Sequence, residues 1–128
     1  MPTIMLVDDS EEFRAPVAAA LQKRGFTVVS LGGGAEALRK LETQKPDLVV
    51  LDMVMPNVDG MAVLRSMRQR NELAEVPVIL LTAQDNESTL IRARELGAMC
   101  LLKYCITIDE ICTCVRSKLA GRPRASVA

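Results

Sequence analysis

Short apolar runs recur along the chain, separated by segments whose apolar residues have helical spacing. The runs cover residues 3–7, 27–31, 47–51, 77–82 and 99–103. Runs this short and without alternation are typical of strands that are buried on both faces of a sheet. Five such strands alternating with five helices predict a parallel sheet with helices on both faces and right-handed crossovers.

Local signals mark where the helices begin and end. Thr107 and Glu110 have the spacing of a capping box at the start of the last helix. Gly25 and Gly97 stand where the first and fourth helices are expected to end. We expect residues 1–120 to form one domain and residues 121–128 to be a flexible basic tail or the start of a linker.

Polar side chains follow the predicted strands at the point where each strand ends. The first strand is predicted to end in Asp8 and Asp9, the third in Asp52, the fourth in Thr82 and the fifth in Lys103. In open parallel sheets, ligands bind beyond the carboxyl ends of the strands, so these side chains are expected to converge on one edge. Burying an unpaired carboxylate is costly, so Asp52 needs a positive partner there.

Composition excludes several classes of protein. The 128 residues include 16 basic and 16 acidic ones, and this balance is not typical of a general nucleic-acid binder. No apolar run approaches the roughly 20 residues of a membrane span, and the N-terminus lacks the features of a signal peptide. We therefore expect a cytoplasmic domain that binds neither nucleic acid nor membrane directly. The four cysteines form no CxxC pair, and we expect reduced, partly buried thiols in preference to a disulfide or a metal site.

The strand-end residues favour phosphoryl transfer. Three crowded carboxylates repel one another, and a single lysine is not enough to neutralise them. A hard divalent cation such as Mg²⁺ takes oxygen ligands and is the natural complement. Metal and lysine can neutralise a phosphoryl group, and Asp52 is the best candidate for the nucleophile because it follows the central, most buried strand. Gly60 is expected to supply a flexible backbone position in the turn that follows.

Four motifs together resemble the receiver domain of two-component response regulators. They are Asp8-Asp9, LDMVMPNVDG from Leu51, LLTA from Leu80, and LGAMCLLK from Leu96, and the likeness covers residues 3 to about 119. The resemblance implies a flavodoxin-like (βα)5 three-layer sandwich with a five-stranded parallel sheet in the order 2-1-3-4-5. It also implies a phosphorylation-dependent signalling switch, which is not an enzyme apart from self-catalysed phosphoryl transfer and slow autodephosphorylation.

The resemblance also implies a role for each strand-end residue. Asp52 would be the phospho-acceptor and a ligand of Mg²⁺, or of Mn²⁺ in its place. Asp9 would bind the metal directly, Asp8 mostly through water, and Val54 through its backbone carbonyl. Thr82 would be the switch hydroxyl.

Lys103 would be the phosphate-binding lysine, completing the set of catalytic residues that the resemblance implies. The implied donor is a sensor histidine kinase or a phosphotransfer protein. The output would be a downstream protein or a C-terminal output domain absent from this sequence. Dimerisation through the fourth helix, fifth strand and fifth helix is a further implication.

Two positions depart from the family pattern. Cys100 stands where the family usually has an aromatic residue, and Tyr104 stands where it usually has a cis proline after the lysine. A cis bond without proline costs about 2.5–4 kcal/mol, so the bond between Lys103 and Tyr104 is predicted to be trans. Cys100 is too small to act as a moving lever, so we expect the loop after the fourth strand and the fourth helix to carry the response.

Two other functions compete with the signalling switch. A degenerate receiver-fold interaction module would keep the fold and lose the chemistry, but all five strand-end residues are present. A Mg²⁺-dependent phosphohydrolase would need a substrate pocket and proton transfer, and the chain has no histidine.

Residues 32–34 (three glycines) lack the spacing of a phosphate-binding loop, so they are interpreted as a turn.

Overall fold

Five strands and five helices alternate through the part of the chain that the computed structural model describes, residues 1–83 and 87–121. The strands are β1 (Thr3–Val7), β2 (Thr27–Leu31), β3 (Leu48–Asp52), β4 (Val78–Thr82) and β5 (Met99–Leu102). The helices are α1 (Glu11–Lys23), α2 (Gly34–Leu41), α3 (Gly60–Gln69), α4 (Glu87–Glu95) and α5 (Ile108–Ala120). Residues 84–86, where the fourth helix was predicted to begin, and residues 122–128 of the predicted tail lie outside the described residues.

The strands form one parallel sheet in the order β2-β1-β3-β4-β5, which confirms the predicted flavodoxin-like topology. The chain leaves β1 for β2 on one side and returns to β3 on the other, so the strand order reverses between β1 and β3. The carboxyl ends of β1 and β3 are therefore the place where such a sheet opens a ligand crevice.

Two apolar clusters cover the two faces of the sheet and complete the three-layer sandwich. Alternate strand residues explain the division, because neighbouring side chains on a strand point to opposite faces. Met5 and Val49 join the cluster that α2, α3 and α4 cover, whereas Ile4 and Val50 join the cluster under α1 and α5. All five residues of β3 are buried, as predicted for the central strand.

Helix ends follow the predicted signals. The hydroxyl of Thr107 accepts a hydrogen bond from the Glu110 backbone N–H at 3.1 Å, and the Glu110 carboxylate accepts one from the Thr107 N–H at 3.0 Å. This is the predicted capping box. Gly25 and Gly97 follow α1 and α4 with positive φ angles of 92° and 80°, a conformation that glycine adopts without steric strain.

One of two strand boundaries at the site differs slightly from the sequence prediction. Asp52 is the last residue of β3, as predicted, and its Cα pairs with that of Leu81 on β4. Lys103 falls just past β5, but its N–H still donates to the Thr82 carbonyl oxygen at 2.8 Å. Both side chains therefore start from backbone that is tied to the sheet.

Arg68, on α3, ties three segments together at the opposite edge of the sheet. Its guanidinium donates to the carbonyl oxygens of Leu96 at 2.6 Å, Val76 at 2.8 Å and Leu73 at 3.3 Å. Burial lowers the pKa of Arg68 from its usual value. The residue joins α3 to the segment before β4 and to the turn between α4 and β5.

The cysteines in the described part of the chain are free, in agreement with the prediction of reduced thiols. Cys112 is buried, Cys100 and Cys114 are half-buried, and Cys105 is exposed. No cis peptide bond occurs among the described residues, so the bond between Lys103 and Tyr104 is trans as predicted. Within the same residues, no helix has the length and apolar character to cross a bilayer.

Candidate functional site

The buried polar side chains of the described residues all lie at one edge of the sheet. They are Asp8, Asp52, Thr82 and Lys103, with exposed fractions of 0%, 3%, 2% and 5%. Each lies at or directly beyond the carboxyl end of a different strand: β1, β3, β4 and β5. Asp9, the fifth predicted residue, lies beside them and is exposed to solvent.

Lys103 links the two buried carboxylates. Its ammonium nitrogen Nζ donates to Oδ1 of Asp8 and to Oδ2 of Asp52, both at 3.1 Å. Nζ also lies 2.9 Å from Oδ2 of Asp8. Burial alone would lower the pKa of Lys103, but the hydrogen bonds to the two carboxylates outweigh it and raise the pKa. The lysine therefore stays charged within the site.

Asp8 is held by the backbone at the start of α1 and by Lys103. Its Oδ1 accepts from the Ser10 backbone N–H at 2.8 Å as well as from Lys103. Its Oδ2 is also buried and forms an ion pair with the Lys103 ammonium. Both carboxylate oxygens of Asp8 therefore lie against the lysine charge.

Three carboxylates are close enough to share a metal ion. One oxygen from each of Asp8, Asp9 and Asp52 lies within 4.8 Å of the other two. All three donors are hard oxygens, which suit Mg²⁺ or Mn²⁺ and not a soft metal. The residues present thus fit a hard divalent cation.

The Asp52 carboxyl group has a raised pKa. Burial raises its pKa to about 6, and the neighbouring Asp8 carboxylate adds to the shift. Hydrogen bonding and charge from Lys103 and a hydrogen bond from the Val54 backbone oppose the shift without cancelling it. A carboxyl group held between burial, an anion and a cation in this way is a mark of functional sites.

The loop after β3 is held against the site by Gly60, for a reason other than the one predicted. Gly60 is the first residue of α3, and the Asp59 side chain caps that helix by accepting from the Ala62 N–H at 2.9 Å. A Cβ at position 60 would collide with the Asp52 carbonyl oxygen and lie 2.8 Å from the Met53 Cα. Gly60 therefore permits close packing, and its φ angle is not positive.

The predicted glycine turn supports the same loop. Gly33 is the N-cap of α2, and Gly34 is the first residue of that helix. A Cβ at Gly34 would collide with the carbonyl oxygen of Val58, in the loop between β3 and α3. The three glycines thus form a turn that leads into a helix, as interpreted from the sequence, and they also leave room for the loop beside Asp52.

Sequence reasoning missed two residues of α1 that contact the site, and it noted Tyr104 only as a departure from the family pattern. Arg14 donates a hydrogen bond to the carbonyl oxygen of Asp8. The ring centres of Phe13 and Tyr104 lie 4.8 Å and 5.5 Å from Nζ of Lys103. The only signal in the sequence was position, since Phe13 and Arg14 come one to two helical turns after Asp8.

The chain matches the family model "Response regulator receiver domain" over residues 4–116. This chain belongs to the response regulator receiver domain family. The receiver domain acts in two-component signalling, as the sequence motifs implied. The match covers nearly all of the described residues and includes every strand-end residue discussed above.

Curated relatives of this receiver domain include regulators of two lengths. It is 40% identical, over 74% of its length, to the alkaline phosphatase synthesis transcriptional regulatory protein PhoP of Bacillus subtilis, of which the match covers 39%. It is 29% identical over 94% of its length to protein PilH of Pseudomonas aeruginosa, all of which is covered. The receiver domain therefore spans about two fifths of the length of the first of these relatives and the whole of the second.

A metal-bound structure is known for a similar protein. The Mn²⁺-bound form of response regulator Rcp1 superposes on 99% of this receiver domain with a TM-score of 0.76, and the match covers 98% of the Rcp1 chain. The two sequences are 25% identical. The Mn²⁺ ion is a feature of Rcp1, and the acid cluster of this receiver domain has the oxygen donors that such an ion takes.

Proposed function

We propose that Asp52 accepts a phosphoryl group from the phosphohistidine of a sensor histidine kinase or a phosphotransfer protein. The aspartyl phosphate then changes the affinity of this receiver domain for its partners. The observation that carries the proposal is the buried contact between Lys103 and Asp52 at the switch point of the sheet. The reaction is self-catalysed, and slow autodephosphorylation reverses it.

The proposed transfer forms one bond and breaks one. A carboxylate oxygen of Asp52 bonds to phosphorus while the bond between phosphorus and the donor imidazole nitrogen breaks, and that nitrogen keeps the electron pair. Lys103 neutralises negative charge on the phosphoryl oxygens, and the Thr82 hydroxyl donates a hydrogen bond to one of them. In the separate hydrolysis step, a water oxygen bonds to phosphorus while the bond between phosphorus and the Asp52 oxygen breaks, so the Asp52 carboxylate is restored and inorganic phosphate leaves after the water gives up a proton to solvent.

We also propose that the acid cluster holds Mg²⁺, or Mn²⁺ in its place. Asp9 and Asp52 would bind the ion directly together with the backbone carbonyl of Val54, whereas Asp8 would act mostly through water. The Mn²⁺-bound form of the similar Rcp1 supports this assignment. When bound, the cation neutralises phosphoryl oxygens and favours the ionised form of Asp52. Asp8 meanwhile keeps Lys103 in place through the contacts described above.

The partners follow from the same proposal. The output is a downstream protein or an output domain in a longer chain, since the regulators that this receiver domain matches come in both lengths. Exposed apolar side chains lie on α4, β5 and α5, namely Ile91, Leu102 and Ile108. This surface is the proposed contact for a dimer or partner, and the proposed compartment is the cytoplasm.

Phosphorylation by a small donor tests the proposal without knowledge of the kinase. Incubation with acetyl phosphate or phosphoramidate and Mg²⁺ should add one phosphoryl group, detected by intact mass, and none should be added in EDTA. Asp52→Asn should abolish the addition. Asp59→Asn is a matched control, since it makes the same chemical change in an exposed residue whose capping role asparagine can fill. Equal labelling of wild type and Asp52→Asn would refute the assignment.

A further inference from the structure

Two of the three aromatic residues of this chain face the same ammonium group. The sequence contains Phe13, Phe26 and Tyr104 and no tryptophan. Nζ of Lys103 lies 4.8 Å from the ring centre of Phe13 and 5.5 Å from that of Tyr104. Both distances are within the roughly 6 Å over which an aromatic face attracts a cation. Lys103 therefore lies between two carboxylates and two rings.

We propose that Tyr104, together with Phe13, is a positioning residue that holds the Lys103 ammonium at the site while its anionic partners change. The proposal rests on the phosphoryl-accepting function proposed for Asp52. In the unmodified protein, Lys103 donates to carboxylate oxygens of Asp8 and Asp52. After transfer, one Asp52 oxygen belongs to the aspartyl phosphate, so the hydrogen bonds of Lys103 must be redirected toward phosphoryl oxygens.

A ring face suits this task because its attraction does not depend on the direction of one N–H bond. The negative face of the ring attracts the whole ammonium charge, whereas each hydrogen bond needs a particular alignment. The ammonium can therefore turn from carboxylate to phosphoryl oxygens without losing this contact. Burial of Lys103 increases the value of the contact, because little water competes for the charge.

The two rings are held differently, and Tyr104 is the one that can be tested cleanly. Phe13 lies in the first turn of α1, where its N–H donates to the Ser10 side chain at 3.3 Å, and it packs against the cluster under α1 and α5. Tyr104 lies in the turn after β5 and is 75% exposed, so its replacement removes little packing. Tyr104 directly follows Lys103 in the chain, and its ring lies over the ammonium of that neighbour.

The test compares Tyr104→Phe, which keeps the ring, with Tyr104→Leu and Tyr104→Ala, which remove it. The first readout is the NMR shift of the Lys103 side chain in the metal-free protein, where a ring above the ammonium moves the signals upfield. The second is the apparent affinity for beryllofluoride in the presence of Mg²⁺. We expect Tyr104→Phe to match wild type, and the ringless variants to lose part of the upfield shift and bind beryllofluoride roughly two- to fivefold more weakly.

Cys105→Ala is the matched control, because it shortens an exposed side chain in the same turn, next to Tyr104, without removing a ring. It should match wild type in both readouts. Wild-type affinity in Tyr104→Leu would overturn the proposal, and so would a Tyr104→Phe variant that behaves like Tyr104→Leu. Failure of the wild type itself to bind beryllofluoride would instead contradict the proposed function, since the NMR shift reports on the ring and ammonium in either case.

Discussion

The backbone of Gly60 lies against the backbone of Asp52, leaving no room for a side chain at position 60. Gly60→Ala should therefore push the start of α3 away from the end of β3. We expect the free energy of unfolding to fall by about 1–3 kcal/mol, as for overpacking in a core, and phosphorylation of Asp52 to slow. Denaturant unfolding and the rate of labelling by phosphoramidate measure the two effects.

Gly33→Ala is the control for that substitution. A Cβ at Gly33 meets no atom within 4 Å, so Gly33→Ala should cause no overpacking. It should lower the free energy of unfolding only slightly, because alanine is a poorer N-cap than glycine. A Gly60→Ala variant as stable and as reactive as Gly33→Ala would contradict the packing role of Gly60.

Without metal, Asp52 should make stability depend on pH. Its pKa is about 6 in the folded protein against a usual 3.8, so the folded state binds this proton more tightly than the unfolded chain. The contribution of Asp52 to the free energy of unfolding should therefore fall as pH rises from about 4 to about 6, by up to about 3 kcal/mol in total. Above that range, the contribution of Asp52 to the free energy of unfolding no longer changes with pH.

The measurement is denaturant unfolding in EDTA across this range, for wild type and Asp52→Asn. The variant cannot ionise at position 52, so it should lack this part of the slope and be more stable than wild type near neutral pH. Carboxyl groups that do not interact with Asp52 cancel in the difference between the two proteins. A metal-free Asp52→Asn protein that is clearly less stable than wild type at pH 7 would refute the repulsion that we infer.

Divalent metal should stabilise the folded receiver domain by binding the native state alone. At a free Mg²⁺ concentration 100-fold above its dissociation constant, the expected gain is about 2.7 kcal/mol. Asp9→Asn should reduce the gain strongly and change metal-free stability little, because Asp9 is exposed. Thermal melts with increasing Mg²⁺ check this, with Asp59→Asn as control. An unchanged Mg²⁺ response in Asp9→Asn would remove Asp9 from the proposed ligands.

Activation should shift the end of β4 and the start of α4 more than β5. Cys100 is half-buried against the cluster under α4 and has no ring to swing, whereas Thr82 is buried beside Asp52 at the site. Amide hydrogen exchange with and without beryllofluoride should show the largest change near Thr82 and the start of α4. Thr82→Ala should blunt it, and Cys100→Ala should not. Changes centred on Cys100 that vanish in Cys100→Ala would contradict this route.

Sequence reasoning reached the five strands and the strand-end cluster because both depend on local patterns, whereas the order of the strands in the sheet came from the resemblance to receiver domains. The aliphatic run before Asp52 indicates a buried strand by itself, and the capping box at Thr107 can be recognised from two residues. Contacts between distant elements leave no such pattern. Phe13 on α1 meets Lys103, which follows it by 90 positions in the sequence, and the close approach at Gly60 depends on how the start of α3 packs against the end of β3.

Arg68 anchors the C-terminal end of α4 to α3. The guanidinium holds the carbonyl of Leu96, directly after the helix, whereas the first turn of α4 lies near the phosphorylation edge. The nine residues of α4 span roughly 13 Å, so a small tilt about the Arg68 end displaces Glu87 most and Glu95 least. A partner that detects phosphorylation through this helix should therefore contact its first turn. Loss of the Arg68 hydrogen bond to Leu96 should leave both ends of α4 free to move, so that the helix no longer rotates about one end.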